Sequence, residues 1–295
     1  MKKICVISGS RAEYGACYEL LKQIKNDSSL KLQLIITGMH LSKDHGFTYK
    51  AIENDGFKID KKVESLDFPN TPLGVINSTA KGMQGIAFAL TKLKPDIVLI
   101  IGDRFEILSA AYSAAMLGIP IAHLSGGELT IGANDDFIRH SITKMSWWHF
   151  VTTDEYAKRV TQLGENPKRV HNVGAMGVDK ITKTSFLTKK QVEKKIGLTF
   201  NKKNLLITFH PVTLEDNENS KYIDELLKAL ASLQVTNLIF TGANADSGGE
   251  LINKKITLFV KSHSNSVKIT SMGTLLYLST LKYVDAVVGN SSSGL

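Results

Sequence analysis

The chain has 295 residues, of which 43% are hydrophobic and 22% are charged, and its formal net charge at pH 7 is +8. This composition is typical of a globular protein, and the length favours two domains over one. No apolar run approaches the roughly 20 residues that a membrane-spanning helix needs, so no membrane partner is predicted.

The positive charge does not predict a nucleic-acid-binding protein. The lysines form short scattered pairs, such as residues 189–190 and 254–255, without the aromatic side chains that stack on bases. We interpret them as solvated faces of helices. A weak positive field would still favour the capture of a small anionic ligand.

The N-terminus reads as a first strand and not as a signal peptide, because a glycine-rich turn follows the first apolar run in place of a cleavage site. The only cysteines are Cys5 and Cys17. We therefore predict a cytoplasmic protein without a structural disulfide.

Residues 2–174 alternate between predicted strands and helices. The predicted strands are residues 2–8, 32–37, 58–66, 96–101, 119–123, 148–152 and 169–174. The first predicted helix ends at residue 24, and the others are residues 48–54, 74–93, 103–117, 135–146 and 154–163. The almost wholly apolar residues 96–101 are typical of a central parallel strand that is covered on both faces. The alternation predicts a doubly wound α/β sheet.

Residues 180–204 are polar and lysine-rich, and we interpret them as the connection to a second domain. The alternation then resumes. The predicted strands are residues 205–209, 238–241, 267–270 and 286–288, and the predicted helices are residues 189–196, 219–230, 249–260 and 274–282. We predict an N-terminal domain at residues 1–178 and a C-terminal domain at residues 179–295, the second without a helix after its last strand.

The turn after the first strand, residues 9–15, is a candidate phosphate site. Glycine permits close approach of the backbone, the N-terminus of a helix offers N–H groups, and Arg11 adds a fixed cation. The alternative is that Gly9 and Ser10 form an ordinary turn.

Acidic residues follow two further strands. Asp103 comes after residues 96–101, Glu128 follows residues 119–123, and Asp135 and Asp136 open the next helix. Open α/β sheets bind ligands beyond the carboxyl ends of their strands. Carboxylates that converge there would repel one another and raise at least one pKa, which would provide an acid and a base at neutral pH.

Some acidic residues in this part of the sequence also have a purely structural interpretation. Asp103 could cap the following helix, and Glu106 could interact with the dipole of that helix. Asp135 could pair with Arg139, which lies one turn further along the same helix.

The second half also places polar residues at strand ends. His210 follows residues 205–209, Asn244 follows residues 238–241, and Ser291 and Ser292 follow the last strand. Hydroxyls and backbone N–H groups there could hold a diphosphate, although a lone histidine is more often structural. Because CxxC, HxxxH and GxGxxG patterns are absent from the sequence, neither a metal nor another cofactor is predicted.

Taken together, these motifs resemble the hydrolysing UDP-N-acetylglucosamine 2-epimerases of the sialic-acid branch. The motifs are SRAEY at 10–14, GDRFE at 102–106, HLSGGE at 123–128, DDFIRHSITK at 135–144, HP at 210–211, NAD at 244–246 and GNSS at 289–292. The resemblance implies a glycosyltransferase-B-like fold, in which two Rossmann-like domains face a cleft, with a second domain that is truncated here. It also implies a homodimer or homotetramer.

The resemblance implies conversion of UDP-N-acetylglucosamine and water into N-acetylmannosamine and UDP. A base removes the C2 proton while UDP leaves from C1, and water then adds to the glycal. The catalytic candidates carried over by motif are Asp103, Glu128, Asp135 and His210, with Asp136 as the alternative to Asp135. The candidates for binding UDP are Arg11, Arg104, His210, Asn244, Ser291 and Ser292.

Other readings stay open. The substrate could instead be UDP-N,N′-diacetylbacillosamine, on the route to legionaminic acid. A UDP-sugar glycosyltransferase would share the fold but would not need the pair Glu128 and Asp135. A truncated UDP-sugar binder would bind UDP without turnover.

Overall fold

The computed structural model describes residues 1–67, 71–212, 218–233, 235–243 and 248–291, with only the backbone described at residues 179, 180 and 183. The chain divides into two compact units, and the division between them falls after Lys183. The domain boundary that we predicted, after residue 178, lies inside the last helix of the first unit.

The first unit contains one parallel sheet of seven strands in the order β3-β2-β1-β4-β5-β6-β7. The strands are β1 Lys2–Ser8, β2 Leu30–Thr37, β3 Lys61–Val63, β4 Ile97–Ile101, β5 Ile121–Leu124, β6 Trp148–Val151 and β7 Val170–Asn172. The helices are α1 Arg11–Asn26, α2 Tyr49–Asn54, α3 Pro72–Leu93, α4 Phe105–Met116, α5 Asn134–Met145, α6 Asp154–Gln162 and α7 Met176–Lys183, with 3₁₀ turns at Gly38–Leu41 and Pro167–Arg169.

Both faces of this sheet are buried. Along β1, Cys5 and Ile7 belong to one hydrophobic cluster, and Val6 belongs to the cluster on the opposite face. Successive side chains of a strand point to opposite faces, so a strand that is covered on both sides must be apolar throughout. Within the described residues, no helix has the length and apolar character required to cross a membrane.

The second unit contains a parallel sheet in the order β10-β9-β8-β11. Its strands are β8 Lys203–Thr208, β9 Thr236–Thr241, β10 Ser266–Ile269 and β11 Ala286–Gly289, and its helices are α8 Lys189–Ile196, α9 Asn219–Ala231, α10 Gly249–Ser262 and α11 Gly273–Leu281. Helix α8 begins with a capping box between Thr188 and Gln191 and ends at Gly197 in the left-handed conformation.

The winding of each sheet reverses at one point. In the first unit the reversal lies between β1 and β4, and in the second it lies between β8 and β11. Ligands of open α/β sheets bind at such points, beyond the carboxyl ends of the strands. The segments that matter for function therefore follow Ser8 and Ile101 in the first unit, and Thr208 and Gly289 in the second.

The structure confirms the predicted fold class, with Rossmann-like sheets in both units. The sequence did not predict α7, which packs against α1, or the 3₁₀ turn at Gly38–Leu41. The extended stretch that we predicted at residues 58–66 forms only the short strand β3.

Candidate active site

A buried arginine of α5 joins the segments that follow β4 and β5. The Arg139 side chain is only 3% exposed. Its Nε donates to Asp103 Oδ2 at 2.9 Å, and Nη2 donates to the same carboxylate. Its Nη1 donates to the carbonyl oxygen of Glu128 at 2.8 Å, and Nη2 donates to Thr130 Oγ1 at 2.7 Å. Arg139 therefore fixes Asp103 beside the Glu128 segment.

These contacts exclude one of the interpretations of Asp103. The N-cap of α4 is Arg104, so Asp103 does not cap that helix. Its carboxylate lies instead against Arg139, and its side chain keeps 22% of its surface exposed. A side chain that is held by a buried guanidinium is fixed in position while it stays accessible from solvent.

Glu128 lies in the segment that follows β5. Its side chain is partly buried, and Thr152 Oγ1 donates to Glu128 Oε1 at 3.3 Å. Burial raises the pKa of Glu128, Arg139 opposes this shift, and the nearby charge of Asp103 adds to it. A carboxyl group with a raised pKa can exchange a proton nearer neutral pH than an ordinary glutamate.

The loop that carries Glu128 has an unusual backbone. Gly127 has φ of +82°, and a Cβ atom there would lie 2.6 Å from the carbonyl oxygen of Tyr156. Ser125 also has a positive φ, of 63°, which is uncommon for a residue with a side chain. Arg159 Nη1 donates to the carbonyl oxygen of Gly127. The surrounding structure thus holds the loop in a strained conformation of the kind that concentrates at functional sites.

Asp135 and Asp136 both lie in the first turn of α5. Asp136 Oδ1 accepts a hydrogen bond from the backbone N–H of Thr130 at 2.8 Å, and Oδ2 lies 3.8 Å from His140 Nε2. The Asp136 carboxylate therefore fastens the loop between β5 and α5. Asp135 lies beside it with a partly exposed side chain.

His123 is a buried, neutral residue beneath the site. Its Nε2 donates to the carbonyl oxygen of Gly102 at 2.9 Å, and its Nδ1 lies 3.3 Å from Thr143 Oγ1. Burial lowers its pKa to about 4. His123 thus fixes the residue that precedes Asp103.

A second polar cluster lies where the winding reverses, between the segments that follow β1 and β4. Arg104 is 8% exposed, and its Nε donates to Glu106 Oε2 at 3.2 Å. The Glu106 side chain is fully buried and lies against Gly9. Burial, followed by the charge of Glu106, raises the pKa of the buried Glu13 to about 7.

The first turn differs from the predicted phosphate site. Glu13 Oε2 accepts hydrogen bonds from the backbone N–H groups of Gly9 at 2.7 Å and Ser10 at 3.3 Å. These two N–H groups are therefore not free for a ligand, contrary to our expectation, because a carboxylate of the same chain accepts both. Arg11 lies in the first turn of α1, and burial lowers its pKa.

In the second unit, His210 and Ser291 lie on the two segments that follow the adjacent strands β8 and β11. Asn290 Oδ1 accepts from the His210 backbone N–H at 2.8 Å, and Asn290 Nδ2 donates to the His210 carbonyl oxygen at 2.8 Å. Asn244 and Ser292 lie outside the described residues.

Residues 22–295 match the model of the family described as UDP-N-acetylglucosamine 2-epimerase. The chain belongs to this family. A "GDP/UDP-N,N'-diacetylbacillosamine 2-epimerase (hydrolyzing)" of Campylobacter jejuni is 44% identical over 295 residues, which cover 100% of this chain and 77% of that relative. The "Polysialic acid biosynthesis protein P7" of Escherichia coli is 39% identical over 296 residues, covering 100% of this chain and 75% of that protein.

The fold of this 2-epimerase family member is similar to that of a solved UDP-GlcNAc 2-epimerase from Neisseria meningitidis, crystallised with UDP-GlcNAc. The TM-score is 0.78 at 18% sequence identity, and the match covers 99% of this chain and 78% of the other. The predicted resemblance is therefore confirmed at the level of family and fold.

Sequence reasoning did not assign the buried residues that organise the candidate site. The spacing of the sequence suggests Asp135 as a partner of Arg139 and a helix dipole as the partner of Glu106, whereas the structure pairs Arg139 with Asp103 and Glu106 with Arg104. Glu13 had a recognisable signal, because Ser10 and Glu13 have the spacing of a capping box, and the structure contains one. For Asn290, the sequence offered only the GNSS motif and nothing that indicated a contact with His210.

Proposed function

We propose that the protein is a hydrolysing UDP-N-acetylglucosamine 2-epimerase, which releases UDP and N-acetylmannosamine. The observation that carries this proposal is the set of hydrogen bonds made by Arg139. Its Nε donates to Asp103 Oδ2 at 2.9 Å, and its Nη1 donates to the Glu128 carbonyl oxygen at 2.8 Å. A pair of carboxyl groups of which one has a raised pKa is what proton removal and return at one carbon require.

In the proposed reaction, one carboxylate removes the C2 proton while the C1–oxygen bond to UDP breaks, which leaves a glycal. Water then adds its oxygen at C1, and a proton returns to C2 on the opposite face. Glu128, Asp103 and Asp135 are the proposed acid and base groups. Asp136, whose Oδ1 accepts the Thr130 N–H at 2.8 Å, is the alternative to Asp135.

The C2 proton is only weakly acidic because no carbonyl group is adjacent, so departure of UDP must be assisted by cations and hydrogen-bond donors. We propose that Arg11, Arg104, His210, Asn244, Ser291 and Ser292 provide them. His210 is also proposed to assist protonation of the leaving group. Arg104 is only 8% exposed and is paired with Glu106, so its contribution would come mainly from its charge.

The test is incubation with UDP-N-acetylglucosamine in deuterated water, followed by NMR. The expected products are UDP and N-acetylmannosamine with one deuteron at C2. Release of UDP without C2 deuterium would exclude the elimination mechanism, and transfer of the sugar to an acceptor would instead support a glycosyltransferase. Binding of UDP without any release from the UDP-sugar would support a binding protein.

UDP-N,N′-diacetylbacillosamine is a second candidate substrate, favoured by the name of the relative that is 44% identical. The two sugars share the acetamido group at C2 and differ at C4 and C6. Competition between both UDP-sugars in one NMR sample measures the ratio of their kcat/KM values directly. A ratio above about tenfold assigns the substrate.

We also propose a homo-oligomer, as the family resemblance implies. Exposed apolar side chains lie on α3 and α4, at Ile76, Phe88, Tyr112 and Met116. The two helices pack together, since Ser113 Oγ donates to the Met83 carbonyl oxygen at 2.9 Å. An apolar surface of this kind is suited to contact with a second copy of the chain.

A further inference from the structure

Two asparagine side chains hold the backbone of the segment that follows β8. Asn290 Oδ1 accepts from the His210 N–H at 2.8 Å, and its Nδ2 donates to the His210 carbonyl oxygen at 2.8 Å. Asn219 makes the same pair of bonds with Val212, at 2.8 Å and 3.3 Å. Each amide thus satisfies both backbone groups of one residue, as a neighbouring strand would.

The segment that follows β9 is held in the same way. Asn253, on α10, accepts from the Ala243 N–H at 3.1 Å and donates to the Ala243 carbonyl oxygen at 3.3 Å. All of these contacts lie at the carboxyl ends of the strands. The described backbone here lies beyond the sheet ladder, and side-chain amides make the hydrogen bonds that a neighbouring strand makes within the sheet.

Asn290 differs from Asn219 and Asn253 in its position relative to the sheet. It follows β11 and reaches the segment that follows β8, so it bridges the point where the winding of the second sheet reverses. The ladder between these strands ends at the pair Gly289 and Thr208, and the Asn290 amide extends the pairing beyond it. Ligands of open α/β sheets bind at this position.

Burial separates the roles of Asn290 and Asn219. Asn219 is 0% exposed, so loss of its amide would leave buried backbone groups unsatisfied. Asn290 is exposed, and water can replace its hydrogen bonds at little cost in stability. The exposed Asn290 amide uses its acceptor and a donor on the backbone of His210, so its main effect is to fix the position of that backbone.

We propose that Asn290 is a positioning residue for the substrate. It fixes the distance between the segment that carries His210 and the segment that carries Ser291, so that both can meet one diphosphate. The inference deepens the proposed function and rests on its assignment of UDP binding to this edge of the second unit. Preorganisation of this kind lowers the entropy cost of binding.

The test is calorimetric binding of UDP to the full chain and to its variants. N290A removes both bonds, and N290D keeps the acceptor but places a carboxylate against the His210 carbonyl oxygen. We expect the Kd for UDP to rise by about tenfold in N290A and further in N290D. Asn265 is the matched control, because its amide also donates to backbone, at Thr236 O, but at the opposite end of the sheet. N265A should leave the Kd within about twofold of wild type.

A double-mutant cycle separates positioning from a general loss of structure. If Asn290 acts through His210, then adding N290A to H210A should change the Kd for UDP by less than about twofold. The thermal midpoint of N290A should stay close to that of wild type, whereas N219A should lower it clearly. Additive losses in the cycle, or an unchanged Kd in N290A, would overturn the inference.

The outcomes for the two proposals are distinct. A wild-type protein that binds UDP but does not release it from either UDP-sugar refutes the proposed reaction, while the affinity series still tests Asn290. A wild-type protein that does not bind UDP overturns the inference about Asn290 itself.

Discussion

At the scale of single residues, a buried guanidinium organises the acidic side of the site. Arg139, on α5, is 3% exposed, and it pairs with Asp103, which lies in the segment that follows β4. Removing one member of a buried ion pair leaves an uncompensated charge, so this pair is sensitive to substitution. Its geometry also depends on the planar fork of arginine, which a lysine cannot reproduce.

The first prediction concerns Arg139→Lys. Arg139 binds the Asp103 carboxylate and the Glu128 carbonyl oxygen through different nitrogens of one planar group, and a lysine ammonium has only one nitrogen. We therefore expect kcat for UDP release to fall by about 10- to 100-fold. The control is Arg169→Lys, since Arg169 lies over the ring of Trp147 and does not contact the acidic residues among its described interactions. Equal losses in both variants would contradict the assigned role of Arg139.

The second prediction concerns Glu128 and pH. Because the pKa of Glu128 is raised above its ordinary value of 4.5, a rate that needs the ionised form should fall as pH drops through a pKa above 4.5. Glu128→Gln should remove this acidic limb and lower kcat by about 10²- to 10⁴-fold. Glu53→Gln, which changes an exposed glutamate paired with Lys62, should retain the limb. Measurement of kcat/KM between pH 4 and 9 checks both.

At the scale of elements, parallel strands deliver the candidate residues to one edge of each sheet. The hydrophobic periodicity predicted most strands and helices, because burial on one or both faces dictates which positions are apolar. It did not predict α7, because Gly177 and the β-branched Val178 and Thr182 are weak helix formers. Met176 of this helix packs against the core around α1, so tertiary contacts stabilise a helix that local propensity does not favour.

The third prediction compares two glycines that lie in different elements. A Cβ at Gly289 would lie 1.8 Å from the Thr208 carbonyl oxygen, and its φ is +136°, so Gly289→Ala should destabilise the protein by about 2 kcal/mol or more. In α7, a Cβ at Gly177 would meet nothing within 4 Å. Gly177→Ala should therefore be neutral or stabilise by about 0.5–1 kcal/mol. Urea unfolding of both variants measures the contrast, and a mild effect at Gly289 would refute the close approach of β11 and β8.

At the scale of the whole molecule, buried histidines make the fold sensitive to acid. Burial lowers the pKa of His40 and of His123 to about 4, below the ordinary value of 6.5. Both histidines are neutral in the folded state, whereas the unfolded chain takes up protons below about pH 6.5. Their contribution to stability is therefore complete above pH 6.5 and is lost as pH falls towards 4.

The fourth prediction follows from this linkage. The free energy of unfolding should decrease by roughly 2–3 kcal/mol per histidine between pH 7 and pH 4.5. His123→Gln should make this decrease smaller, because one of the titrating groups is gone. His171→Gln, at an exposed position, should leave the slope as in wild type. Urea titrations at several pH values give the free energy of unfolding as a function of pH. The same pH dependence in wild type and both variants would contradict the prediction.

The fifth prediction concerns assembly. Phe88 on α3 is 64% exposed, and Phe88→Asp should convert the proposed oligomer into monomers in sedimentation velocity experiments. A charge buried in an apolar interface is costly, which is why one substitution suffices. Leu258 on α10 is 58% exposed, and Leu258→Asp provides a matched control that should not change the sedimentation coefficient. A wild-type monomer at all concentrations would refute the assembly.

The sequence by itself determined most of the strands and helices in their order, the polar residues that follow the strands, and the family. These properties depend on local periodicity and on motifs, which are present in the linear order of residues. Only the tertiary structure decided which side chains from distant segments contact one another. Arg139 pairs with Asp103, Glu13 lies beside Glu106, and Asn290 holds His210. The physical reason is that periodicity states which side chains are buried, whereas the order of strands in the sheet determines which distant segments become neighbours.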